Sequence, residues 1–64
     1  MSTAHQNFHG MFFSKLAREE LARGAVWMAE MTARLALGTD ETNREYVELV
    51  ALAEQARRAA TGEG

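Results

Sequence analysis

A run of apolar or very small residues at helical spacing dominates the middle of this chain and leaves little room for any architecture but an α-helical one. Phe13, Ala17, Leu21, Gly24, Met28, Met31 and Leu35 follow one another at intervals of 4, 4, 3, 4, 3 and 4, which marks one face of a helix. Ser14 is the natural N-cap for this run, with Glu19 and Glu20 near the positive end of the helix dipole. Gly38 follows Leu37, where a glycine in the left-handed conformation would close the helix. The pattern predicts a first helix over about residues 14–37, roughly 35 Å long at 1.5 Å per residue. Gly24 opposes it, since an interior glycine costs about 1 kcal/mol relative to alanine. Either the helix is continuous and Gly24 admits a closely packed neighbour, or Arg23-Gly24 is a turn between two shorter helices. The seam passes through Gly24 without a change of phase, which favours the continuous helix.

A polar cluster, Thr39 to Asn43, separates this segment from a second periodic run. Thr42 and Glu45 have capping-box spacing, and Tyr46, Leu49, Val50, Ala53, Ala56 and Ala60 share one helical face. The organisation expected is an aromatic N-terminal arm over residues 1–13 and an antiparallel helical hairpin over 14–61. Within the hairpin, helix 1 covers about 14–37, the loop 38–42 and helix 2 about 43–60, and the C-terminus 62–64 should fray. The expected class is all-α.

A lone hairpin covers each helix on one side only. Trp27, Leu16 and Phe12 lie beside the first seam, Val47 and Leu52 beside the second. Leaving an aromatic such as Trp27 exposed forgoes on the order of 2 kcal/mol of burial. The uncovered strip therefore predicts a four-helix-bundle homodimer, a partner protein, or both. For self-association the expected residues are Leu16, Leu21, Gly24, Met28, Met31, Leu35, Leu49 and Val50. For partner binding they are Phe8, Phe12, Trp27 and Tyr46, because buried aromatics dominate interface energetics. Phe8, Met11, Phe12 and Phe13 put four large apolar residues within six positions, more than a solvated tail carries; the group either folds over the hairpin or meets another protein.

Composition narrows the function. With nine acidic residues against seven basic ones, a formal charge of -2, there is no net positive field to draw the chain to nucleic acid. Sixty-four residues bury only about 60% of the surface they expose when unfolded, so a catalytic pocket of ~300 Å³ would hollow out the core. There is no cysteine, and neither histidine has a nucleophile with an orienting third group. His5 and His9 are spaced i,i+4, but Gln6, Asn7 and Ser14 are poor additional ligands. No catalytic residue, cofactor or metal is expected. The opening residues have no basic start and no apolar run, and no uninterrupted apolar stretch is longer than that of Ala25 to Ala29, far short of a membrane span. These features predict a cytoplasmic chain that is not an enzyme. Glu19 to Arg23 and Glu30 to Arg34 read as i,i+4 pairs on a solvated face. Asp40, Glu41, Glu45 and Glu48, offset by Arg44, give the hinge end a negative patch.

Three resemblances attach to these residues. Phe13, Leu16, Ala17, Gly24, Ala29 and Ala36 fall at the spacing of a tetratricopeptide unit, departing from it at Glu20, Ala33 and Glu41. This resemblance implies a break at Gly24. Leu35 to Gly38 followed by Tyr46, Leu49 and Ala53 resembles the layout of the small co-chaperones of type III secretion needle subunits. In size and format the whole chain is similar to phage-encoded antiactivators. The latter two imply a protein that binds and masks a bacterial regulator or assembly component stoichiometrically. The alternative is a co-chaperone or self-assembling subunit whose aromatics form its own oligomer core.

Overall fold

The computed structural model describes residues 7–62 and resolves them into three helices: α1 Phe8–Arg23, α2 Val26–Thr39 and α3 Arg44–Thr61, with no strand among the described residues. The protein is all-α, but the continuous helix expected over residues 14–37 is two helices. Gly24 adopts φ 82°, ends α1, and donates its N–H to the carbonyls of Glu20 and Leu21. Ala25 N–H bonds to the Glu20 carbonyl at 2.8 Å. This is left-handed helix closure, for which glycine alone carries no Cβ penalty. The expected role of Gly24 as a close-contact point is overturned with it, since nothing lies within 4 Å of where its Cβ would be.

The other boundaries move for equally local reasons. Helix α1 starts six residues before the expected Ser14 because Asn7 is its cap, accepting the Gly10 N–H on Oδ1 at 3.0 Å. Ser14 lies buried within the helix and donates its hydroxyl to the Met11 carbonyl at 3.0 Å. Residues 8–13, expected as an arm, are thus helical. Gly38 lies inside α2, which runs on to Thr39, and the chain leaves the helix at Asp40 in extended conformation. The Asp40 carboxylate then accepts the Thr42 N–H at 3.2 Å and the Thr42 hydroxyl at 2.7 Å, which folds the turn. Asn43, not Thr42, caps α3 by accepting the Tyr46 N–H at 3.2 Å. At the far end Gly62 closes α3 at φ 80°.

Packing places α2 between the other two, with α1 lightly touching α3. The contacts run end to start. Gly10, early in α1, faces Thr39 at the end of α2 and Tyr46 at the start of α3, while Glu30, early in α2, meets Arg57, late in α3. The core is built of small residues: Ala17, Ala29, Ala33 and Ala53 are fully buried, with Leu49 and Val50 beside them and Leu21 and Leu37 partly covered against it. At Gly10 a Cβ would fall 2.6 Å from Asn7 Nδ2 and 2.8 Å from the Tyr46 hydroxyl oxygen, so the close approach of α1 depends on the missing side chain. Asn7 donates to the Thr39 hydroxyl at 3.1 Å, and Thr39 donates to the Ala36 carbonyl at 2.6 Å.

Because Gly24 holds a positive φ in open space, the cost of substituting it is purely conformational. Gly24→Ala is expected to destabilise the fold by about 1–2 kcal/mol, lowering Tm by roughly 5–10 °C for a domain of this size. Gly24→Asn, which tolerates the left-handed region better, should lose less. Thermal melts followed by circular dichroism check both.

Candidate protein-binding surface

The residues that fill the interior are mostly the small ones, and most of the large ones face outward. Trp27, Met28, Met31 and Leu35 on α2 all have more than half of their surface exposed, Met31 the most at 68%. The seam expected to hold helix 1 against its neighbour is, along α2, the outer face; Ala29, Thr32, Ala33 and Ala36 are the buried one. Helix α2 is apolar on both sides, its ionisable residues being Glu30 and Arg34. Hydrophobic periodicity therefore could not select between an alanine face and a methionine face.

A second apolar surface lies at the start of α1, where Phe8, Met11 and Phe12 are exposed. Phe12 packs edge-on against Phe13, with ring centroids 5.6 Å apart at 63°, the geometry aromatic quadrupoles favour. Phe13 is half-buried, so it anchors its exposed neighbour. On α3, Val47 and Leu52 are exposed. Leu52 and Leu49 form one side of a shallow groove completed by Arg18, Glu45 and Glu48.

The expected contact residues are thus divided. Phe8, Phe12 and Trp27 are exposed, whereas Tyr46, expected as an exposed anchor, is only 3% exposed and belongs to the core beside Gly10. Its position on the inner face of α3 was legible from its spacing with Leu49, Val50 and Ala53. Of the residues expected in self-association, Met28, Met31 and Leu35 are exposed, Leu49 and Val50 lie in the core of the single chain, and Leu16 and Leu21 are partly covered. His5 lies outside the described residues and His9 is exposed. Among the described residues no group of three or more His, Cys, Asp or Glu side chains could hold a metal ion, and no helix is long and apolar enough to cross a membrane.

The Glu30–Arg34 pair expected on a solvated face is present at 2.7 Å, yet Glu30 is only 8% exposed and takes a second arginine. Arg57 reaches from α3 to its other oxygen at 2.8 Å, and the same guanidinium lies 5.0 Å from the centroid of the Trp27 ring. A single carboxylate so orients both arginines, and through Arg57 it steadies the exposed indole. The Arg57 hydrogen bond, and after it that of Arg34, hold the Glu30 carboxyl below its ordinary pKa. The sequence signal for this network was faint: Glu30–Arg34 has helical spacing, but nothing marks Arg57 as its third member.

Glu20 has no such partners. It is 2% exposed near the end of α1, and its Oε1 accepts no hydrogen bond among the described residues. It stands at one of the positions where the tetratricopeptide pattern fails. Comparison with family models, with curated proteins and with solved structures returns no match.

Two measurements follow from these acids. An unpartnered buried carboxylate costs more than an apolar side chain of similar volume, so Glu20→Leu should raise stability by about 1–3 kcal/mol in denaturant unfolding. For Glu30, ionisation favours the folded state, because the carboxyl binds its proton less tightly there than in the unfolded chain. Its contribution is complete above the ordinary carboxylate range and is lost as pH falls through the lowered folded value. The Tm difference between the parent and Glu30→Gln should accordingly be constant near neutrality and shrink on acidification below about pH 4.

Proposed function

We propose that this protein is a binding module that acts stoichiometrically, covering a surface of a partner protein such as a bacterial regulator or assembly component. The observation that carries the reading is the inversion of side-chain size: alanines line most of the helix contacts, while Phe8, Met11, Phe12, Trp27, Met28, Met31 and Leu35 are turned outward. Monomeric proteins rarely leave apolar patches of more than a few hundred Å² uncovered, and aromatic and methionine side chains are the types enriched where proteins meet. A helix end bearing three such residues within five positions suits the apolar groove of a partner.

The break at Gly24 supports a second reading of the same kind. Ala17, Ala29 and Ala36 are fully buried at positions where the tetratricopeptide-like spacing places small residues, with Gly24 at the turn between α1 and α2. On this reading α1 and α2 are one repeat-like unit with α3 beside it, and the chain is a co-chaperone or a self-assembling subunit whose aromatics form its own oligomer core. In both readings the exposed apolar side chains are contact surface.

The test separates contact residues from core residues. Phe8→Ala combined with Phe12→Ala should leave helicity and Tm nearly unchanged, because both side chains are exposed, and should abolish capture of the partner from bacterial lysate. Leu49→Ala should instead cost about 2–5 kcal/mol of stability. If the double aromatic variant captures the same protein as the parent with undiminished yield, the α1 surface is not the binding site.

A further inference from the structure

We infer that Met11, Met28 and Met31 are modification sites, at which a hydroperoxide converts the exposed apolar surface into a polar one while the fold stays intact. For its consequence, the control of contact by an oxidant, the inference rests on the reading of that surface as a protein contact; the chemistry itself involves no partner. Methionine is the only sulfur-bearing residue in the sequence, with no cysteine to react first. Of the four methionines, Met1 lies outside the described residues, and Met11, Met28 and Met31 are 59%, 55% and 68% exposed. Side chains so placed are open to water and to the small solutes it carries, which is the access that a dissolved oxidant needs.

Position decides what oxidation does. Met28 and Met31 stand on the outer face of α2 with Trp27 and Leu35, and Met11 stands beside the exposed Phe8 and Phe12 at the start of α1. No methionine is among the buried residues, whose large apolar members are Tyr46, Leu49 and Val50. Sulfoxidation disrupts proteins that pack their methionines inside; here it falls outside the packing. In the reaction the sulfur lone pair attacks one oxygen of hydrogen peroxide, and the S–O bond forms as the O–O bond breaks. The departing oxygen takes up the proton of the transferred one and leaves as water, so the thioether is oxidised to a sulfoxide, the peroxide is reduced, and the charge of the protein is unchanged. The sulfoxide oxygen accepts hydrogen bonds from water, and covering it without a donor costs free energy. Each modified methionine therefore weakens an apolar contact. Sulfoxide reductases, one for each epimer, restore the thioether, which makes the change reversible.

Hydrogen peroxide itself is the probe, and none of the readouts uses a captured protein, so they stand apart from those of the Phe8 and Phe12 variants. Peptide mapping should find all three residues converted to the sulfoxide in the folded chain as readily as in the same chain unfolded in urea. Elution from a hydrophobic-interaction column should become earlier, and should return to that of the untreated protein after incubation with the two sulfoxide reductases. Helicity should persist, with Tm falling by less than about 5 °C, as surface changes allow. A variant combining Met11→Leu, Met28→Leu and Met31→Leu should elute at the same place before and after peroxide. Protection of any of the three residues by the fold overturns the proposal, as does a larger fall in Tm or a loss of helicity. So does an elution that sulfoxidation leaves unmoved, that the reductases do not restore, or that shifts equally in the leucine variant.

Discussion

Where the helices meet through Ala17, Ala29, Ala33 and Ala53, each contributes only a methyl group, and the backbones come correspondingly close. Close approach depends on those residues staying small, as it does at Gly10, and it leaves no space inside for tryptophan, methionine or most of the phenylalanines. The outward placement of the large side chains follows from this steric constraint: α2, bounded on its inner side by alanines, can present Trp27, Met28, Met31 and Leu35 only to the outside. The structure thereby separates small from large apolar side chains by position. Methyl groups join the helices, and most of the bulky groups lie on the surface.

How much of this was legible in the sequence differs from helix to helix. α3 was read nearly to its ends because its polarity is one-sided: Tyr46, Leu49, Val50 and Ala53 face inward, and Glu48, Gln55 and Arg58 do not. Its cap shifted by a single residue, from Thr42 to Asn43, two residues that both suit the role. α1 began earlier than expected because Asn7 outcompeted Ser14, whose hydroxyl turned back onto its own helix. The break at Gly24 was visible as an alternative but was set aside, since the apolar rhythm crosses it undisturbed. That rhythm continues through the turn because α2 is apolar on two faces, and a period can be followed on either of them. Spacing reports that a face exists; where two faces are apolar, it does not report which one is covered.

The two buried acids mark the limits of the same reading from another side. Glu30 has an arginine four residues on, Arg34, where Glu20 has Gly24, yet nothing within either helix marks both carboxylates as buried. Glu30 is stabilised by arginines from two elements, one four residues away and one twenty-seven, and it uses them to orient Arg57 against Trp27. Glu20 has no comparable partner for Oε1. Tertiary placement, which the spacing of one helix does not contain, makes one carboxylate an organising centre and the other an unrelieved cost.

A core of methyl groups also sets the thermal character of the fold. The heat capacity of unfolding scales with the apolar area newly exposed to water. Alanines contribute little to that area, and residues already facing solvent contribute less still. The free energy of the isolated chain should therefore vary only gently with temperature, giving a broad transition with a small enthalpy. Were another molecule to cover Trp27, Met31 and Leu35, the missing area would be added at once, and the steepness of the melt would then depend on that molecule as well as on the chain.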